Sequence, residues 1–383
     1  MKILAIICEF NPFHNGHKYL LETALKLSDC DRVLCIMSGN FTQRGEMCIA
    51  DKYTRARHAV SGGADCVIQL PAPFAVAPAE IFASGAIKIL SAIPDVHTLA
   101  FGCESGTAEQ FMSDARMLIG ESVKFKNVLE ENLSLGESYI RSYSSACTAC
   151  GGNAEFTRNP NNILGLEYCK AILKYNPQFN ILPVKRIGSG YNDAEIAQSF
   201  SSASAIRNNL KSELLSCNVP PYVLKDLKSA ASAKNFEHYV KNCLFMTPAE
   251  KLKEIYGCGE GLENKLKSLE NRSVGEIISM ATSKRYSSSR IRRILCANAL
   301  GLTSSDTEKF LDSGLYIKPL AVKKVRADEM LSALSKSAFP LVTGLDATNL
   351  SDGALQCFQK DLYEMKLYNH INTLSVKDYM TLV

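Results

Sequence analysis

Five short apolar runs, at residues 2–10, 32–38, 66–70, 97–102 and 180–186, alternate with stretches of helical periodicity at 15–27, 51–61, 78–93 and 107–129. Short runs of consecutive apolar residues predict strands buried on both faces. Helices between such strands imply right-handed crossovers and a doubly wound parallel sheet. Asp51 reads as an N-cap, Pro78 as a first-turn proline and Gly62-Gly63 as a helix stop. From about residue 204 onward the pattern changes to helical periodicity with polar breaks at Pro220-Pro221 and Tyr256-Gly257-Cys258-Gly259. Only residues 339–342 stay ambiguous there. The pattern predicts an α/β domain over residues 1–205 and a mostly helical one over 206–383, and the length of 383 residues agrees with two cores.

The chemistry concentrates where the first strand gives way to the first helix, Ile7-Cys8-Glu9-Phe10-Asn11-Pro12-Phe13-His14-Asn15-Gly16-His17-Lys18-Tyr19-Leu20. A helix N-terminus presents unpaired N–H groups and a partial positive charge, a ready seat for phosphate. His14 and His17, three residues apart, lie on one side of a helical turn, and Gly16 between them keeps no ligand at a distance. In a doubly wound sheet the ligand sits beyond the carboxyl ends of the strands, where this junction falls. A histidine beside a turn is more often structural, so position decides in favour of a nucleotide site.

Composition narrows the class without naming an activity. Hydrophobic residues make up 46% and charged ones 21%, an ordinary globular balance. No apolar run reaches the roughly 18 residues needed to cross a bilayer, and Glu9, Asn11 and Pro12 fall where a secretory leader would need its exit. Of the fourteen cysteines, Cys8, Cys35 and Cys66 sit inside apolar strand-like runs, and the lone C-x-x-C, Cys147-Thr148-Ala149-Cys150, lacks a second ligand pair. Buried free thiols in a reducing cytoplasm are the expectation, with no protein-held metal. The net charge of +4 permits an RNA partner without requiring one.

The segment Phe10 to His17 resembles the signature of the HIGH-type nucleotidyltransferase superfamily. Met37-Ser38-Gly39-Asn40-Phe41-Thr42-Gln43-Arg44-Gly45-Glu46, Phe101-Gly102-Cys103-Glu104-Ser105-Gly106, Pro160-Asn161-Asn162-Ile163-Leu164-Gly165 and Ser202-Ala203-Ser204-Ala205-Ile206-Arg207 resemble one narrower group, the bacterial tRNA(Met) cytidine acetate ligases. The likeness is close over the first two hundred residues and looser beyond, with Lys284-Arg285-Tyr286 as the best anchor. It implies a Rossmann-like domain in which Ile7 to Leu20, Gly102, Asn161, Arg186, Ser202 and Ser204 contact ATP. His14, His17 and Arg207 would stabilise phosphate charge. Ser204 stands where the family pattern has threonine, and keeps the hydroxyl.

Read without the likeness, Gly102 serves turn geometry as readily as a ligand, Asn161 reads as a helix N-cap, and Arg186 as a surface ion pair. The loop carrying Asn40, Gln43, Arg44 and Glu46 lies at the same sheet edge as the histidines, and Arg44 is suited to acetate or to a tRNA phosphate. In the second half, Lys284, Arg285, Arg290, Arg292 and Arg293 with Tyr286 form a run without an acid. Such a run is commonly a solvated helix face; here it is a candidate RNA contact, with Tyr286 placed to stack on a base.

The resemblance implies a two-step ligase. Acetate attacks the α-phosphate of ATP to give acetyl-adenylate, and N4 of the wobble cytidine (position 34) of elongator tRNA(Met) then takes the acetyl group. Magnesium would accompany the ATP, and no obligate protein partner and no membrane are implied. Two other readings stay open on the residues alone: a small-molecule nucleotidyltransferase, and a non-catalytic RNA-binding protein that retains a relic nucleotide fold.

Overall fold

The computed structural model describes residues 1–120, 122–157, 159–187, 196 and 199–383. Its centre is the first apolar run, β1 (Ile3–Cys8), paired in parallel with β2 (Arg32–Ser38) on one side and β4 (Val96–Cys103) on the other. Outside these lie β3 (Cys66–Leu70) beside β2 and β5 (Asn180–Lys185) beside β4, both parallel. Successive β1 residues serve opposite cores: Ile3, Ala5 and Ile7 join one buried cluster, Leu4 and Ile6 the other. That alternation explains why the run is apolar at every position.

The crossovers are α1 (Asn15–Leu27), α2 (Lys52–Ser61), α3 (Ala79–Ser91), α4 (Ala108–Ile119), α5 (Val123–Ser134) and α6 (Pro160–Tyr175). Asp51 caps α2 by accepting the Tyr53 and Thr54 N–H groups at 2.9 and 3.0 Å, and Gly62 ends that helix. Two local expectations change. The helix expected over 107–129 is two, because Gly120 closes α4 and Ser122 opens α5 by accepting the Phe125 N–H at 3.2 Å. Pro78 is the N-cap residue of α3, one position before its first turn.

The chain order across the sheet is β5-β4-β1-β2-β3-β6-β7. β6 (Pro319–Val322) runs antiparallel to β3, and β7 (Thr381–Leu382) parallel to β6. The sheet therefore draws in strands from beyond residue 205, which helical periodicity did not reveal. In the same half lie α7 (Ala203–Asn208), α8 (Ala233–Met246), α9 (Ser288–Leu300) and α10 (Asp352–Asn372). α8 and α9 build a third core around Leu244, Leu266 and Ile291, into which Phe41 and Met47 of the β2–α2 loop also pack. Among the described residues no helix is long and apolar enough to cross a membrane.

Strand order reverses at β1, whose neighbours continue to β2 on one side and jump to β4 on the other. The crevice beyond the carboxyl ends of β1 and β4 is thus the topological switch point, where doubly wound sheets bind ligands.

Candidate active site

A cavity of about 450 Å³ occupies that crevice, large enough for a nucleotide. Its wall at the end of β1 is built by an abrupt turn. Phe10 takes a left-handed φ of 47°, and the Asn11–Pro12 peptide is cis. For a bulky side chain this conformation is costly and persists only where its surroundings over-determine it. Buried Arg55 supplies part of that constraint, donating to the carbonyls of Glu9, Ser38 and Gly39 and to that of Ala50 at 3.0 Å. The carboxyl ends of β1 and β2 are thereby tied to one guanidinium.

His14 is the N-cap of α1, in extended conformation. Its backbone N–H donates to Nδ1 of His17 at 3.3 Å, and the two rings stack with centroids 3.6 Å apart. Because Nδ1 of His17 accepts, its ring proton is assigned to Nε2 and is free to donate. Gly16 is needed for this stack, since a Cβ there would stand 2.9 Å from Cε1 of the His14 ring. Burial, then the charges of Arg186 and Arg207, hold His14 down at about 3. Burial, His14 and Arg186 hold His17 well below its ordinary value. Both rings are neutral donors, and the positive charge of the site is carried by arginines.

Those arginines come from separate segments. Arg186 follows β5 and Arg207 lies in α7; both line the cavity with Arg44 and, from α9, Arg293. Arg207 donates to the Asn11 carbonyl at 2.7 Å, to Glu46 at 2.6 Å and to Ser204 Oγ at 3.3 Å. Ser202 caps α7 through the Ala205 N–H at 3.1 Å. Gly102 is the penultimate residue of β4, and a Cβ there would meet Arg186 Cγ at 3.5 Å and Cδ at 3.9 Å, both ordinary contacts. Protein packing therefore does not require a glycine at this position.

Asn161 is not the N-cap of α6. Asn159 holds that position, and Asn161 Nδ2 instead donates to Glu104 Oε1 at 2.6 Å. Proline at the first helical position explains the offset, because it fixes the helix start two residues earlier. Of the segment from Ile7 to Leu20, all but Pro12, Phe13, Asn15 and Lys18 line the cavity. Phe13 is core, Asn15 donates to the Cys217 carbonyl at 2.9 Å, and Lys18 pairs outward with Glu22 at 3.7 Å.

The β2–α2 loop brings Gln43, Arg44 and Glu46 to the cavity, whereas Asn40 is its buried anchor. The Asn40 N–H donates to Glu364 of α10, and its side-chain oxygen accepts the Lys52 N–H at 2.7 Å. Beneath it lies a buried charged cluster in which Lys52 reaches Gln69 at 3.0 Å, Asp378 at 3.4 Å and Glu364 at 3.9 Å. Burial lifts Glu364 to about 7 against the pull of Lys52. Gly39 is obligatory here, as a Cβ would fall 2.2 Å from Glu364 Oε1. At the loop's other end Gly45, with φ of 74°, lies so close to α9 that a Cβ would be 2.5 Å from the Arg292 carbonyl.

The basic run divides. Lys284 and Arg285 are exposed, and Glu260 pairs with Arg285. Arg290 covers one face of Tyr286 at 4.9 Å and donates to the Gly257 carbonyl at 2.8 Å. Arg292 points to Glu46 at 3.5 Å, and Arg293 lines the cavity. Two of the five cations expected to contact RNA therefore border the nucleotide crevice, because one turn of α9 abuts the β2–α2 loop. The sequence gives no signal for Arg55, which stands isolated, or for Phe82 and Tyr168, which with Phe101 form the apolar cavity wall. Among the described residues no group of three or more His, Cys, Asp or Glu is placed to hold a metal.

A family model described as HIGH Nucleotidyl Transferase matches residues 1–381. A tRNA(Met) cytidine acetate ligase of Thermoanaerobacter sp. (strain X514) is 33% identical over 381 residues, covering 96% of this chain and 95% of that protein. Thermotoga maritima TmcAL in its apo form superposes with a TM-score of 0.91 at 27% identity, covering both chains completely. The same protein bound with alpha-thio ATP gives a TM-score of 0.88 at 26% identity, again over both whole chains.

Proposed function

The chain belongs to the HIGH nucleotidyltransferases, and within them to the tRNA(Met) cytidine acetate ligases; on that premise we propose how its crevice performs the reaction. One observation carries the reading: His14, His17, Gly102, Asn161, Arg186, Ser202, Ser204 and Arg207, from five stretches of chain, line a single cavity at the sheet's switch point. ATP enters with its phosphates toward α1. The Nε2–H of His17 and the guanidinium of Arg207 meet the charge that builds on the α-phosphate as the acetate oxygen attacks. Pyrophosphate leaves and acetyl-adenylate remains.

The mixed anhydride carries the activation, so no protein nucleophile is needed. N4 of the wobble cytidine of elongator tRNA(Met) attacks the acetyl carbonyl, giving N4-acetylcytidine and AMP. Among the described residues the cavity wall holds two carboxylates, Glu9 and Glu46, and the latter is engaged by Arg207. Two such carboxylates do not make a cage for a cation, so magnesium accompanying ATP would take its ligands from phosphate oxygens and water. Residues 1–205 supply most of the nucleotide wall; 206–383 add Arg207 and Arg293 and offer Lys284, Arg285 and Tyr286 to tRNA. The setting on this reading is the cytoplasm.

The test is to incubate the protein with labelled acetate, ATP and tRNA, digest the RNA and separate the nucleosides. Label in N4-acetylcytidine that requires ATP is expected. Label that requires acetyl-CoA, or never enters RNA, would overturn the reading.

A further inference from the structure

The acetyl transfer just described releases a proton from N4, and something must take it. Cytosine N4 is a hydrogen-bond donor that proteins read with a carboxylate. Among the described residues lining the cavity, Glu9 and Glu46 are the carboxylates. Glu46 is committed: Oε2 accepts from Arg207 at 2.6 Å, and Oε1 stands 3.5 Å from Arg292. The imidazoles are poorly suited, since His17 Nδ1 already accepts the His14 N–H and His14 is a weak base.

Glu9 is differently placed. It leaves β1 at the switch point, and its Oε1 accepts the Gln43 N–H at 2.6 Å and the Ser38 hydroxyl at 3.4 Å. Its Oε2 carries no hydrogen bond among the described residues. One oxygen is thus fixed by the β2–α2 loop and the other is open. The direction of the side chain is set by Arg55 on the Glu9 carbonyl and by the left-handed Phe10 that follows.

We infer that Glu9 is the general base of the second step, its open carboxylate oxygen accepting the N4 proton as the acetyl group is transferred. The N4 lone pair forms the C–N bond to the acetyl carbon. The bond from that carbon to the phosphate oxygen breaks, its electron pair leaving with AMP. The proton passes to Glu9 and from there to solvent. Burial raises the basicity of Glu9, against the Gln43 hydrogen bond that lowers it. The other groups acting on it are Glu46, Arg207 and Arg44, and it is charge-coupled to Tyr168 and Cys48.

This inference rests on the acetate-ligase reading, and the two fail differently. Absence of N4-acetylcytidine with the unaltered protein indicts that reading. Given product, Glu9→Gln is compared in two half-reactions: acetate-dependent ATP–pyrophosphate exchange, and single-turnover acetyl transfer to tRNA. Transfer is expected to fall about 100-fold more than exchange, the usual share of a general base. The unaltered protein should show transfer rising with pH through an acid limb above the ordinary carboxylate range, and Glu9→Gln should lack it. Glu9→Asp, which withdraws the carboxylate by one methylene, should recover part of the transfer; it also serves should the Gln variant not fold. Equal loss in both half-reactions, undiminished transfer, or selective loss in Glu46→Gln instead would overturn the assignment.

Discussion

Arg207 and Glu46 form an ion pair of 2.6 Å across the mouth of the cavity, joining α7 to the β2–α2 loop. The same carboxylate stands 3.5 Å from Arg292 of α9, so one side chain connects the nucleotide wall to the helical half. A triphosphate entering beside Arg207 meets a guanidinium already oriented, with the Asn11 carbonyl holding its other nitrogen at 2.7 Å.

Arg207→Lys keeps the charge but loses the fork that reaches Asn11, Glu46 and Ser204 together. Acetate-dependent ATP–pyrophosphate exchange should fall about 10- to 100-fold, the worth of about 1.5–3 kcal/mol for a charged hydrogen bond. Binding of tRNA, followed by gel shift, should change little.

The histidines make stability depend on pH. Their native values lie below those of an unfolded chain, which therefore binds more protons on acidification. Stability that these rings leave intact above about pH 6.5 is lost as pH falls toward their native values. A His14→Asn, His17→Asn double variant should show a flatter decline of Tm between pH 6.5 and 4 than the parent, by differential scanning calorimetry. An unchanged slope would mean the rings are not desolvated.

Lys52 is fully buried against Glu364 and Asp378. Lys52→Met leaves these acids without their common partner and should cost about 3–5 kcal/mol in urea unfolding. Because Glu364 anchors Asn40, the loop bearing Gln43 and Glu46 should also loosen, raising KM for ATP.

Lys284 and Arg285 are exposed and lie apart from the cavity wall. Replacing both with alanine should weaken tRNA binding and lower its salt dependence by about one counterion per lost phosphate contact. ATP–pyrophosphate exchange should stay near normal. Arg292→Ala with Arg293→Ala should instead reduce both activities, since those side chains border the crevice.

Much of this site was legible because its signals are local. Strands β1, β2 and β3 are short apolar runs, and the histidine pair opens a helix at a strand's end. The rest depends on contacts distant in sequence. β6 escaped notice because its four residues start with proline and follow Lys318, so they carry no strand signature. The anchoring of Asn40 by Glu364 spans 324 residues and shows in neither segment alone. The double duty of α9 is hidden for the same reason: Ile291, Ile294 and Leu295 form its buried side, but nothing in the segment shows which loop its arginines meet.

Whether this crevice joins acetate to the α-phosphate of ATP is read from the fate of one oxygen atom. Acetate labelled with heavy oxygen in its carboxylate is supplied with ATP and tRNA, and the AMP released is weighed by mass spectrometry. Attack by acetate followed by acetyl transfer leaves one acetate oxygen on the phosphate, so each AMP should carry one label. Unlabelled AMP, or label appearing in inorganic phosphate with ADP as the product, would rule out attack by acetate at the α-phosphate.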